Sequence, residues 1–334
     1  MIIAIPKETM EQETRVALTP NHVTKFLEKG ICVQVEHNAG IKAFFTDNDY
    51  IQAGATICKN YKNTIKNADI ILKIHTPQRG EISYLQNNQT IICDSRNITS
   101  KSELKKLANK NITLYGLQFI PRISRAQNMD ILSSQNNLTG YEAVIMGAGH
   151  CSSSIPMMIT AAGIIPPLKI LIIGLGVAGL QAIATAHRLG AQIYATDINH
   201  KTEEQALSLG AKFIKELTSD FLSSLQMIIT TVAPINKKTP NLLSKEQLSY
   251  ISPNCVIIDT SGHNINKQWL NPQTILIQDN NLIRFIPHSA SILYSENIFN
   301  FCNFILDTNN QNDEIVTKTQ ICSDKQIKIN YLQE

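Results

Sequence analysis

The sequence predicts an α/β protein of two doubly wound parallel-sheet domains separated by a cleft. Two observations carry that expectation. Short runs rich in Ile, Leu and Val alternate with helical segments along the chain, the pattern of βα units that build a mostly parallel sheet. A polar stretch, residues 121–135, interrupts the alternation before a second βα series begins, and 334 residues suffice for two proper cores.

Ile2–Ile5 reads as the first strand. Thr19 and Pro20 start a helix, a capping residue followed by Pro at the first helical position, and Gly30 closes it. Strands are expected at Cys32–Glu36, Asp69–His75, Thr90–Cys93 and Ile112–Phe119, with helices such as Ser100–Ala108 between them. Residues 121–135 read as a polar loop and 138–162 mostly as helix. The second series comprises 169–197, Met227–Val232, Ser244–Ser252, Val256–Asp259 and Ile275–Gln278, then a helix at Glu296–Leu306. The polar tail 307–334 carries strand-like pieces at Ile315–Thr317 and Gln326–Ile329. The expected domains are residues 1–133 plus 307–334, and residues 134–306. Ligands of such sheets sit at the carboxyl ends of strands, so the crevice between the domains is the default site.

Composition narrows the class. The chain is 43% hydrophobic and 17% charged with net charge +3, and its lysines are scattered, which argues against a nucleic-acid partner. Seven cysteines are dispersed without a CxxC pair, which points to a reducing compartment and neither disulfides nor zinc. No metal site is expected: His75, His150 and His187 lack ligand spacing. The apolar N-terminus is broken by Pro6 and has no basic region, so it reads as a strand and not as a signal peptide. The most apolar region, 155–180, is interrupted by Pro166, Pro167, Lys169 and glycines, so no membrane insertion is expected.

Residues 169–197 form a complete strand–turn–helix–strand unit. The strand Lys169–Ile173 runs into Gly174, Leu175, Gly176, Val177 and Gly179, and the second strand ends on Asp197. Gly174 permits the tight turn, Gly176 lets backbone approach a pyrophosphate, and Gly179 lets helix and strand pack closely. The helix that starts there points free N–H groups and its positive end at the phosphates. Asp197 stands where the adenosine ribose hydroxyls would donate to it. A 2′-phosphate at ~4 Å from that carboxylate would be repelled by up to ~4 kcal/mol at an effective dielectric of 20. The unit is therefore Rossmann-like and selective for NAD(H) over NADP(H), with Ile198, Asn199, Thr231 and Val232 as further cofactor contacts.

The loop 121–135 packs Arg122, Arg125, Gln127, Asp130 and Ser133 into twelve residues, too polar for a core helix. With the glycine unit it brings out a resemblance. The chain resembles the NAD(H)-binding part of the alpha subunit of proton-translocating NAD(P) transhydrogenases, within the wider alanine dehydrogenase family. The matching stretches are Glu13–Pro20, 121–135, Asn137–Val144, Pro156–Gly163, Gly174–Gly190, Glu204–Ile214 and Val256–Asp259. The resemblance implies that Arg122, Gln127, Asp130 and Ser133 act at the nicotinamide end of NAD(H), with Ser124, Asn128 and Met129 as neighbouring contacts. It also implies NADP(H) on a partner subunit, membrane alpha and beta subunits as partners, a homodimer, and a peripheral place at the inner, cytoplasmic face of a bacterial plasma membrane.

Hydride passing directly between two nicotinamides needs alignment at about 3–3.5 Å and no acid–base group. An alanine dehydrogenase, the rival enzyme, needs such a group. Arg15 and Lys73 match the positions that hold substrate carboxylate in that branch, but its His is absent from the stretch 89–94, and His263 stands at its catalytic acid position. The resemblance makes Arg15 and Lys73 structural remnants. Three departures from the transhydrogenase pattern bear on affinity and closure: a short segment 215–225 without the family's loop Tyr, Ile198 and Asn199 after the acid, and Gly262–Lys267 in place of glycine pairs. A degenerate, non-catalytic NAD-binding subunit is the third reading; the intact 122–133 loop argues against it and the short segment for it.

Overall fold

Branched apolar runs become strands at each place where they are bracketed by turn residues. The computed structural model describes residues 1–98, 100–233 and 239–328. Its first strands are β1 (Ile2–Ile5), β2 (Cys32–Glu36), β3 (Thr56–Cys58), β4 (Ile70–His75), β5 (Thr90–Asp94) and β6 (Thr113–Gly116). A hairpin of β7 (Met158–Thr160) and β8 (Gly163–Ile165) follows. Next come β9 (Lys169–Ile173), β10 (Gln192–Thr196), β11 (Lys212–Phe213), β12 (Met227–Thr230), β13 (Val256–Asp259) and β14 (Ile275–Gln278). The last pair is β15 (Gln320–Ser323) and β16 (Gln326–Ile327). Ile329, expected to end the final strand, lies outside the described residues.

These strands make two main sheets in two units, Met1–Gln135 with Ile286–Glu334, and Asn136–Phe285. The second unit's sheet runs β11-β10-β9-β12-β13-β14, all parallel. That is the 3-2-1-4-5-6 winding of dinucleotide-binding sheets, with its reversal between β9 and β12. The first unit repeats it: β3-β2-β1-β4-β5-β6 are parallel, and β15-β16 extends the edge antiparallel at β6. The expectation of two doubly wound Rossmann-like sheets is met.

Alternation across each strand feeds two core layers. Ile3 and Ile5 face one cluster and Ala4 the other; Ile170 and Ile172 oppose Leu171 and Ile173 in the same way. Strands covered on both faces must be apolar throughout, which is why the runs lack polar alternation.

Several expectations need correction. The helix of 138–162 begins earlier and ends earlier, at Ile131–His150, and an exposed hairpin occupies 158–165. Pro156 cannot continue a helix, and the Ser-rich stretch before it offers side-chain hydrogen bonds instead. The polar loop holds a 3-10 helix, Ser124–Met129, and the strand expected to reach Phe119 turns into another at Leu117–Phe119. Ile315–Thr317 lie in a helix, Glu314–Thr319, because Asp313 accepts the Ile315 N–H at 2.8 Å and caps it. That cap outweighs the strand preference of its β-branched residues.

The domain boundary also shifts. The expected helix Glu296–Leu306 starts at Pro287 and belongs to the first unit, so the second ends at Phe285 and not at Leu306. Its Tyr294, Ile298 and Phe301 are buried with Phe26 and Ile74. Thr19 donates its N–H to Ser295 Oγ at 2.9 Å, and Val16 donates to Ser291 Oγ at 3.1 Å. The Tyr294 hydroxyl donates to the Lys73 carbonyl at 3.0 Å, where the β4–β5 pairing is irregular. Tyr294→Phe leaves that buried carbonyl without its donor and should destabilise the unit by about 1–2 kcal/mol. An unchanged urea midpoint would show that the hydroxyl is dispensable.

Candidate nucleotide site

The crevice of the second sheet opens where β9 ends. Gly174 turns the chain at φ +95°, and a Cβ there would lie 2.6 Å from Val232 Cγ2. One turn into the helix Val177–Arg188, a Cβ on Gly179 would fall 1.8 Å from the Gly174 carbonyl oxygen. At Gly176, the helix N-cap, nothing lies within 4 Å of such a Cβ, so that backbone is open to a ligand. Turn, close packing and open approach are the three needs expected of this motif. The first amides of a twelve-residue helix face the opening without intrahelical partners and carry its positive end.

Asp197 follows β10 and is held by backbone. Its Oδ2 accepts the Leu175 N–H at 2.6 Å and its Oδ1 accepts the Asn199 N–H at 2.7 Å. Each carboxylate oxygen keeps a second acceptor site for a hydroxyl donor. The carboxylate is thus pinned to the glycine turn, at the place a ribose diol would need. Ile198 is fully exposed, Val177 is exposed, and the Asn199 side chain accepts the Lys201 N–H. Leu175 is buried, so only its backbone borders the opening. Thr231 donates its hydroxyl to the Gly174 carbonyl at 2.7 Å, and Val232 abuts Gly174. Both shape the turn from the neighbouring strand.

The sequence marks Asp259 only as the end of a motif strand, and its role is larger. Fully buried at the end of β13, it accepts backbone N–H groups of Ser261, Gly262, Asn264 and Ile265 within 3.2 Å. Thr230, Ser261 and Gln278 add side-chain donors. An acid ending a buried strand before Thr260, Ser261 and Gly262 has the same form as Asp197 and is the available signal. His263 beyond it is exposed.

The loop of the first unit divides its residues between two jobs. Ala126 and Met129 are buried in the core, while Arg122, Ser124, Gln127 and Asn128 are exposed. The Met129 side chain is therefore closed to any ligand, and only its backbone can serve. Asp130 Oδ1 accepts the Leu132 and Ser133 N–H groups at 2.9 and 3.0 Å, and its Oδ2 accepts the Ser133 hydroxyl at 2.6 Å. Asp130 and Ser133 thus cap the helix Ile131–His150. Arg122 and Gln127 present side chains without partners among the described residues.

Charges fill the corresponding crevice of the first sheet, at the reversal between β1 and β4. Lys73, 1% exposed, lies 3.4 Å from Glu8 and 3.7 Å from Glu81. Arg15 donates to both oxygens of Glu13 at 2.9 and 2.7 Å, and to Gln135 Oε1 at 2.9 Å. His75 Nε2 meets Glu13 Oε2 at 2.8 Å. Both cations matched to substrate binding in the alanine dehydrogenase branch are thus paired within the chain. Among the described residues no cluster of His, Cys, Asp or Glu could hold a metal ion.

Burial would raise the Glu13 carboxyl, but Arg15 and His75 beside it hold it far below the ordinary carboxylate range. Burial raises Glu8 despite Lys73. Because its folded pKa is depressed, Glu13 stabilises the unit fully above its unfolded pKa of about 4.3 and loses that contribution as pH falls further. Stability should therefore drop steeply below pH ~4, and Glu13→Gln should flatten the drop. Equal slopes for both proteins would exclude this role; Glu8, with the opposite sign, is common to both.

Comparison with known proteins agrees with this architecture. Residues 4–139 match the family described as alanine dehydrogenase/PNT, N-terminal domain, and residues 143–330 match its C-terminal domain. The first of the separately encoded portions of NAD(P) transhydrogenase subunit alpha from Rhodospirillum rubrum is 36% identical over 373 aligned positions, covering 97% of each chain. That alignment is longer than the 334 residues here, so the relative carries insertions. The transhydrogenase structure from Sinorhizobium meliloti superposes with a TM-score of 0.90 at 35% identity over 98% of both chains. An L-alanine dehydrogenase structure shares the fold, with a TM-score of 0.86 at 21% identity over 98% of this chain and 96% of its own. This chain belongs to the alanine dehydrogenase/PNT family.

Proposed function

We propose that the chain is the NAD(H)-binding component of a proton-translocating NAD(P) transhydrogenase. In this reading it holds NADH while hydride passes to NADP+ on a beta-subunit domain, coupled to proton passage through membrane subunits. The observation that carries the nucleotide role is the Asp197 carboxylate pinned to the Leu175 amide of the glycine turn. The open backbone at Gly176 and the helix start would take the pyrophosphate, and Asp197 the ribose hydroxyls. Bound NADH supplies the hydride. Arg122 and Gln127 are free to hold the carboxamide, with Ser124 and Asn128 as exposed neighbours, while Asp130 and Ser133 keep the loop's end in register. The payoff of that loop is alignment in the transition state, not affinity.

The internal pairing of Arg15 and Lys73 favours transhydrogenation over amino-acid oxidation. A substrate carboxylate would have to displace Glu13 and Glu8 or Glu81 from buried pairs, and breaking one such pair is worth about 3–5 kcal/mol. Among the described residues no helix is long and apolar enough to cross a membrane, in keeping with a peripheral subunit at the inner face of a bacterial plasma membrane. A homodimer is included in the same reading. The β7–β8 hairpin pairs with no other strand among the described residues, and its Ile159 and Ile164 are 70% and 67% exposed. A lone two-stranded ribbon is marginal in water and gains from a covering partner.

Two outcomes test this. NADH should bind in preference to NADPH, and Asp197→Ala should weaken NADH by roughly 1–3 kcal/mol; equal affinities in a fluorescence titration would sink the role of Asp197. The purified chain should not reduce NAD+ with L-alanine. Robust turnover, lost on Lys73→Ala, would promote the amino-acid dehydrogenase reading.

A further inference from the structure

One buried amide controls the exposed portion of the loop. Asn297, 6% exposed on the helix Pro287–Leu306, donates its Nδ2 to the Asn128 carbonyl at 2.8 Å. Its Oδ1 accepts the Ser134 hydroxyl at 2.6 Å, so a single side chain joins the 3-10 helix Ser124–Met129 to the first turn of the helix Ile131–His150. A carbonyl can only accept, which fixes the amide's orientation. No other side chain of this length offers a donor at one end and an acceptor at the other: Asp would set a carboxylate against a carbonyl, and Leu would satisfy neither. The bond lands on the peptide immediately after Gln127–Asn128, and Ala126 and Met129 anchor the same turn from below. The remaining ties are weaker. Asn300 Nδ2 reaches the Asn128 carbonyl at 3.3 Å, and the Arg125–Asp313 pair is at the surface, where such pairs contribute little.

We propose that Asn297 is the positioning residue of this loop, holding the backbone from which Gln127 projects, and that it sets the rate of hydride transfer and not NADH affinity. The proposal rests on the reading of the loop as the nicotinamide-end element.

The test uses the full chain with trypsin, whose sites Arg122 and Arg125 lie in the exposed loop. Cleavage follows the population of the opened loop, so Asn297→Asp and Asn297→Ala should be cut there roughly tenfold faster, the scale of one lost hydrogen bond. Asn300→Ala should be cut like the parent. NADH affinity of the Asn297 variants should stay within about threefold, while single-turnover transfer to NADP+ on the purified partner component slows ~10²-fold, the effect of a 1 Å misplacement. Should both Asn297 variants misfold by circular dichroism, Ser134→Ala removes half the bridge and should show the same pattern in weaker form. Unchanged cleavage, or loss of affinity in proportion to loss of transfer, overturns the proposal. NADH should also protect the parent loop from trypsin. If it does not, the nicotinamide-end reading fails, whatever the variants show.

Discussion

The second unit depends on how closely two backbones approach at Gly174 and Gly179. With 1.8 Å between a hypothetical Cβ on Gly179 and the Gly174 carbonyl oxygen, no side chain of any kind fits there without moving the helix off the sheet. Everything at the opening is referenced to that contact. It sets where the helix Val177–Arg188 starts, hence where its free amides point, and it leaves the Leu175 N–H directed at Asp197. Thr231 and Val232 reinforce the same turn from β12. An alanine at position 179 would therefore act on ligand geometry through the backbone, although it touches no ligand itself.

The two sheets share one winding and differ in what stands at the reversal. In the second unit the strand end meets glycines, and the backbone itself is the binding surface. In the first, the chain after β1 carries Glu8 and Glu13, and β4 brings Lys73 and His75 against them. Buried charges at this density are tolerable because each finds a partner: Arg15 with Glu13, Arg96 with Asp94, Lys73 between two glutamates. A crevice occupied in this way has exchanged ligand capacity for internal pairing. The same topology thus serves once as an open site and once as a closed one, and side-chain chemistry at two strand ends decides between them.

How much of this was legible in the sequence follows the range of each interaction. The glycine turn, Asp197 and the strands of both sheets are local signals, written within about thirty residues, and the structure carries them as expected. The exposed hairpin was hidden because a short apolar run has no period that separates strand from helix. The helix Glu314–Thr319 was hidden because a single capping Asp outweighed its β-branched residues. Asp259 could have been found, since it repeats the pattern of Asp197 at the end of another strand. The pairing of Lys73 with Glu8 could not, because 65 residues separate them and nothing in either neighbourhood marks the other.

The loop residues show why a motif match cannot by itself assign roles. Gln127 and Met129 lie two positions apart, yet one side chain stands in solvent and the other in the core. Asp130 and Ser133 are polar and sit inside the matching stretch, but their hydrogen bonds are made to each other and to a helix start. Of the four residues that the resemblance sets at the nicotinamide end, only Arg122 and Gln127 have uncommitted donors. The functional content of the loop is therefore narrower than its polar composition suggests, and its accuracy is delegated to residues that meet no cofactor. That division suits hydride transfer, where two ring carbons must be aligned and no proton needs a home: a small number of free donors on a backbone held from behind is sufficient.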